Sequence, residues 1–317
     1  FDNYTHVSNA SFVITVDTAI PTAVINSING QADNGWTNSL TLGVNFNATD
    51  NAINHWNVSV YNSVGALVGF NTSSTDFTGT YNFTVPTEGR YTVNLTVLDN
   101  STNLGTASKT INVDTTSPSA TINSVNSKSN GGWTNNGTLL VNITATDTNI
   151  NYYNVSVYNS SSALINSAQT AGSNATNSVV SLAVSANGTF TVNLTVVDNA
   201  TNRVSATIFT INVDTVAPAV NLVSPANANW SSDSTPDITF NYTDSLSPNA
   251  SCTLYVNGTS KGSNSAVVVN TNTAITSTTL GDGAYTWYVN CTDLASNTAN
   301  SSSRSLNVDT TAPTVAI

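Results

Sequence analysis

The sequence predicts an all-β chain, a linear array of antiparallel β-sandwiches with about seven strands each. Three observations predict it. Val, Ile, Leu, Tyr, Phe and Trp recur in short runs that alternate with polar residues, and 39% of the 317 residues are apolar, enough to close several cores. Asn, Ser and Thr supply 141 residues, the vocabulary of turns and outward strand faces rather than of helices. The string VDT, two residues, Pro occurs four times, with Asp17, Asp114, Asp214 and Asp309 spaced 97, 100 and 95 residues apart.

Other landmarks keep this phase. Trp36, Trp133 and Trp230 each stand 14 residues before Asp50, Asp147 and Asp244. The segments YTVNLTVLDN (91–100), FTVNLTVVDN (190–199) and YTWYVNCTDL (285–294) occupy another equivalent position. A repeat of this length is the size of an immunoglobulin-type sandwich, which places domains at 19–115, 116–215 and 216–310. In the first repeat the runs predict strands near 22–28, 39–48, 55–62, 65–71, 77–85, 90–98 and 106–113, separated by Gly, Asn, Asp, Ser and Pro. Tyr91, Val93, Leu95 and Val97 are expected to face the core, with Thr92, Asn94 and Thr96 facing water. Pro21, Pro118, Pro218 and Pro313 suit a linker or first-strand position that needs no ladder donor. Residues 1–18 align without gaps onto 98–115, and 311–317 resemble the start of a repeat. They are expected to be the last hairpin of a preceding domain and the first strand of a following one.

Charge narrows the function classes. Sixteen Asp, one Glu and six Lys or Arg give a net charge of -11, so nothing here would neutralise nucleic-acid phosphates. No apolar run is long enough to cross a membrane as a helix. The two histidines, His6 and His55, are isolated, and no Gly-rich phosphate motif is present, so the sequence predicts no enzyme. Lys109, Lys128 and Lys261 share no repeat position, which argues against lysine–asparagine crosslinks.

The VDTTSP, VDTVAP and VDTTAP junctions, with the D-x-x-x-N turns Asp99–Asn103, Asp198–Asn202 and Asp293–Asn297, resemble the tandem bacterial and archaeal immunoglobulin-like domains of large cell-surface adhesins, stalks and filaments. That resemblance implies an extracellular, cell-surface location and a structural role. It also implies partners among other domains or copies of the same protein, and calcium at interdomain junctions.

Three sets of residues carry candidate chemistry. In an immunoglobulin topology the linker Asp of one repeat meets two loop Asp of the next. This groups Asp17 with Asp50 and Asp99, Asp114 with Asp147 and Asp198, and Asp214 with Asp244 and Asp293. Neighbouring carboxylates repel unless a cation joins them, and oxygen ligands suit calcium. The competing reading is that each Asp caps its own turn. The second set is 22 N-x-S/T sequons, among them Asn57, Asn94, Asn142, Asn154, Asn193, Asn241 and Asn257, which would take covalent glycans. Chance accounts for about 14, and strand alternation manufactures more by setting outward Asn and Thr two apart. The third is Cys252 and Cys291, expected on neighbouring strands of one sheet and therefore able to form a disulfide in an exported protein.

Trp36, Trp133 and Trp230 recur in phase and are expected in core or junction packing, whereas Trp56 with Tyr61, and Tyr152 with Tyr153, are the surface candidates for a sugar platform. The leading function is a structural segment of a surface stalk or filament. The alternatives are an adhesin module binding a host or neighbour-cell surface ligand or glycan, and a spacer of a large exoenzyme.

Overall fold

A computed structural model describes residues 10–315 and is all β among them. The chain divides into two compact units, residues 1–117 with 198–202, and residues 118–197 with 203–317. The first unit holds one sandwich and the second holds two, and each sandwich has its own apolar core.

In the first sandwich the strands are β1 (Thr22–Ile28), β2 (Gly35–Thr37), β3 (Thr41–Thr49), β4 (Ile53–Asn62), β5 (Leu67–Ser73), β6 (Thr78–Thr84), β7 (Gly89–Asp99) and β8 (Leu104–Val113). Strands β1-β3-β6 form one sheet and β2-β8-β7-β4-β5 the other. All pairings are antiparallel except β2 with β8, which is parallel. Along β7 the residues Tyr91, Val93, Leu95 and Val97 are buried while Thr92, Asn94 and Thr96 are half-buried, because a pleated strand turns alternate side chains to opposite faces. The short β2 is the strand that the alternation pattern does not announce. Three residues carry no period, and their pairing with β8 is non-local.

The second sandwich repeats the plan with Ser119–Val125, Thr138–Thr146 and Ala175–Ala183 in the small sheet, and the third with Ala219–Ser224, Asp237–Thr243 and Thr273–Thr276. Their last strand is broken, into Arg203–Ser205 and Phe209–Val213, and into Thr298–Asn300 and Arg304–Val308. Tyr91 Oη donates to Thr87 O at 2.7 Å and Tyr285 Oη to Gly281 O at 3.0 Å, the backbone tie of a tyrosine corner. Gly105 on β8 is required by close approach, since a Cβ there would collide with the backbone carbonyl of Pro21. Residues 10–18 and 311–315 carry no strand, and Phe12, Val13, Ile14 and Val16 stand exposed. The rest of the two expected end elements, residues 1–9 and 316–317, lies outside the described residues.

Two aromatic expectations are corrected. Trp56 has no exposed surface: it packs on Phe46 and Tyr81 with ring centroids 4.7 Å away, and its Nε1 donates to Thr75 O at 3.0 Å. Tyr153, its counterpart, is also buried. Tyr61 and Tyr152 are half-buried. The surface reading failed because position 56 lies on the inward register of β4, opposite Val97, which a one-residue shift would have reversed. Trp36 and Trp133 are only half-buried on their short parallel strands, and Trp230 is 69% exposed.

The position of Trp56 is taken in the third sandwich by Cys252, directly across from Cys291, and the two are disulfide-bonded with an S–S distance of 2.08 Å. Core bulk is redistributed to suit: Ala48, Trp56 and Val93 in the first repeat, Ala145, Tyr153 and Val192 in the second, Tyr242, Cys252 and Trp287 in the third, all buried. Substituting Trp56→Ala is expected to destabilise the first sandwich by about 3–5 kcal/mol in denaturant titration. Reduction of the disulfide is expected to cost the third about 2–4 kcal/mol while leaving the first transition unmoved.

Candidate functional site: acidic clusters at the joints

Each repeat leaves its last strand through an Asp whose own turn is locally capped. Oδ1 of Asp17, Asp114, Asp214 and Asp309 accepts the backbone N–H two residues on, at 2.9, 3.1, 3.1 and 3.1 Å. A loop Asp after the third strand does the same: Asp50 accepts from Ala52 N at 3.0 Å and Asp147 from Asn149 N at 2.8 Å. Asp244 accepts from Leu246 N and Ser247 N, both at 2.8 Å. This is the ordinary Asx turn that Asp forms from its short side chain.

The third Asp closes the D-x-x-x-N turn. Oδ1 of Asp99 accepts from Ser101 N and Asn103 N, both at 2.8 Å, and its Oδ2 accepts from Asn103 Nδ2 at 2.8 Å. Asp198 with Asn202, and Asp293 with Asn297, repeat the Asn bonds at 2.7–2.8 Å. The same Asn Nδ2 also donates to the linker carbonyl, Asn103 to Asp17 O at 3.1 Å, Asn202 to Asp114 O at 2.8 Å and Asn297 to Asp214 O at 2.8 Å. The D-x-x-x-N motif was visible in the sequence, but its hold on a carbonyl more than 80 residues away was not.

At Asp214 and Asp244 the cap takes one oxygen and leaves the other buried. Asp17, Asp50 and Asp99 in the first unit, and Asp214, Asp244 and Asp293 in the second, each offer a carboxylate oxygen within 4.8 Å of the other two. Asp114 and Asp198 belong to the first unit and Asp147 to the second. Asp214 has no exposed surface, and Oδ2 of both Asp214 and Asp244 is buried without a hydrogen-bond partner. Burial, and then the Asp244 and Asp293 carboxylates, push the Asp214 carboxyl above its ordinary value. The same surroundings, burial first, push the Tyr242 phenol up to about 12. Asp99 behaves oppositely: burial raises it, but the bonds from Asn103 and Ser101 outweigh burial and hold it below the usual value. Turn-capping and clustering are thus two uses of the same carboxylates, one oxygen for each at Asp214 and Asp244. All-oxygen donors with orphaned buried charge can chelate a hard cation.

A second joint contact went unread in the sequence. The residue before the glycine that opens each long strand, Glu88, Asn187 or Asp282, reaches the Thr after the linker Asp. Glu88 accepts from Thr115 N at 2.7 Å and Thr116 Oγ1 at 2.9 Å, Asn187 from Thr215 N at 3.2 Å and Oγ1 at 2.9 Å, and Asp282 from Thr310 N and Oγ1, both at 2.7 Å. The glycines have φ of 133°, 146° and 154°, a backbone that L side chains rarely adopt, and in sequence this glycine was the available signal. Hydroxyl and amide bonds from the threonines, Thr115 for Glu88 and Thr311 for Asp282, lower both carboxyls.

The sequon residues Asn57, Asn94, Asn142, Asn154, Asn193 and Asn241 lie half-buried on strands, whereas Asn257 stands exposed in a turn. His55 is exposed on β4, and His6 lies outside the described residues.

Two outcomes follow for the joints. Substituting Asn297→Ala strands the Asp214 carbonyl and one oxygen of the largely buried Asp293, and is expected to destabilise the third sandwich by about 1–3 kcal/mol in thermal unfolding. Carboxyls with lowered folded values contribute stability above their unfolded values and lose it as pH falls through the folded ones. Asp282→Asn is therefore expected to flatten the acid limb of the stability–pH curve, read by unfolding between about pH 6 and 2.

A family model described as bacterial Ig-like domain (Big_13) matches residues 224–310. No curated protein matches the chain significantly. Among solved structures, the chain is similar to a tetra-tandem repeat in the extending region of a large adhesion protein, with 21% identity over 92% of this chain and 74% of that one and a TM-score of 0.35. It is also similar to fibronectin(III)-like modules of Clostridium thermocellum CbhA, with 18% identity over 58% and 93% of the chains and a TM-score of 0.37. A 1.5-MDa bacterial ice-binding adhesin matches with 18% identity over 92% and 100% and a TM-score of 0.36. The third repeat is similar to bacterial Ig-like domains, and the other two repeats share its strand order, so the chain is a tandem series of β-sandwiches built on one plan.

Proposed function

We propose that this chain is a structural segment of an extracellular, cell-surface stalk or filament. In this reading the repeats at 19–115, 116–215 and 216–310 are its modules, calcium sits among the joint aspartates, and glycans cover its uncharged surface. One observation carries the reading: the chemistry that recurs in phase is at the joints, where linker Asp, loop Asp and the D-x-x-x-N turn meet, rather than in any cleft. A binding or catalytic module would be expected to spend its distinctive residues in one repeat. The partners implied are further repeats of the same kind and covalent sugars.

Calcium fits the donor set because it takes six to eight oxygens and tolerates irregular geometry, and because Asp214 Oδ2 and Asp244 Oδ2 are orphaned in the interior. Calcium at about 100 times its Kd is expected to add about 2.7 kcal/mol to the third sandwich. Excess chelator should lower the melting temperature, and an unchanged melt would sink the calcium assignment. Asp214→Asn keeps the cap to Val216 while removing a buried charge. It is expected to raise the calcium-free melting temperature by about 4 °C or more and to abolish the gain from calcium.

Native surface material decorated with an antibody against residues 216–310 tests the structural role by electron microscopy. Label along filaments or stalks supports it. Label confined to released, unassembled enzyme or to a terminal head overturns it.

A further inference from the structure

We propose that N-linked sugar is carried at the loop and strand-end sequons Asn136, Asn159, Asn174, Asn187 and Asn257 and is absent from the mid-strand sequons Asn154, Asn241 and Asn290. The inference rests on the glycosylated-surface reading above and adds the sites. All eight residues satisfy N-x-S/T, and their carboxamides are held in two opposite ways.

At these five positions, four in loops or turns and Asn159 at the end of the strand Ile150–Asn159, the oxygen is the engaged atom. Oδ1 of Asn136 accepts from Thr138 N at 2.8 Å, that of Asn159 from Ser161 N at 3.0 Å, that of Asn174 from Asp147 N at 2.8 Å, and that of Asn257 from Thr286 N at 2.9 Å. Asn187 Oδ1 takes the Thr215 bonds of the joint. In Asn136 and Asn159 the donor is the third residue of the sequon itself, so the hydroxyl-bearing residue is folded back over the carboxamide. Asn136, Asn174 and Asn257 are exposed, and Asn159 and Asn187 half-buried. The oxygen is pinned, and Nδ2 is left for chemistry.

At the strand positions the nitrogen is the engaged atom. Asn154 Nδ2 donates to Ser156 Oγ at 3.1 Å and Asn241 Nδ2 to Asn272 Oδ1 at 2.8 Å. Asn290 Nδ2 donates to Thr298 Oγ1 at 3.0 Å and Asn300 Oδ1 at 2.7 Å. All three are half-buried in sheet faces where period-two alternation produces the motif without any selection for sugar.

The reaction consumes one N–H of Nδ2 and places a sugar on that nitrogen, so at the strand positions the half-buried Nδ2 would have to turn out of its bonds within the sheet face. From a lipid-linked saccharyl phosphate or pyrophosphate donor, the anomeric carbon–oxygen bond breaks, its electron pair leaves with the phosphate carrier, an Nδ2–carbon bond forms, and Nδ2 loses one proton. Oδ1 takes no part in the new bond. A sugar on Asn187 therefore leaves its clamp on Thr215 intact, and one on Asn174 leaves its bond from Asp147 intact, so the joints can be coated without being opened.

Peptide mapping of the native protein tests this. With six Lys or Arg and 16 Asp, cleavage at Asp gives the better fragments. Intact sugar masses on peptides holding Asn136, Asn159, Asn174, Asn187 and Asn257, with Asn154, Asn241 and Asn290 bare, are the expected result. Sugar on any of the three strand residues overturns the inference while leaving the glycosylated-surface reading standing. Bare peptides at every sequon overturn both.

Discussion

Asp214 is tied by its backbone to two sandwiches at once. Its N–H donates to Thr134 O of the second at 2.9 Å, and its carbonyl accepts from Asn297 of the third at 2.8 Å. The following residue, Thr215, is clamped by Asn187, and Val216 N is capped by the Asp214 side chain. With those linker groups satisfied inside the protein, the segment between the two cores has little backbone freedom left. One carboxylate oxygen is consumed by the cap, and the other is delivered to Asp244 and Asp293. The acidic cluster is thus a consequence of how the joint is tied.

The cores tolerate large changes because a buried position requires apolar bulk that its neighbours can adjust to, rather than a particular residue. Ala48, Trp56 and Val93 become Tyr242, Cys252 and Trp287 at matched positions, with the bulk moved from one strand to its neighbours. The disulfide occupies the space that an indole fills in the first repeat, so a covalent tie and a large aromatic are alternative solutions to one packing problem. The joint residues lack that freedom, since an Asx turn or a two-acceptor Asn requires particular atoms rather than volume.

Much was legible in the sequence. Period-two alternation located seven strands of the first repeat to within a few residues, because burial on one face imposes it directly. The phase of VDT, the loop Asp and D-x-x-x-N grouped Asp17 with Asp50 and Asp99, and Asp214 with Asp244 and Asp293, as the structure places them. Other features escaped. Strand β2 is three residues long and is defined by its parallel partner β8. Trp56 was misread as surface, since a one-residue uncertainty in register exchanges the faces, and Trp230, expected in packing from its repeat phase, is 69% exposed. The clamp residues Glu88, Asn187 and Asp282 differ in type and share only the glycine that follows them.

The sequence by itself determined that the chain is β, that it repeats, and which residues recur at each joint, because alternation and self-similarity are properties of order along the chain. Tertiary structure alone decided which oxygen of Asp214 and of Asp244 is spent on the turn and which faces the cluster, which carboxamides keep a free nitrogen, and which tryptophan is core. Those outcomes depend on donors and acceptors brought together from positions often 80 or more residues apart, and no local pattern records them.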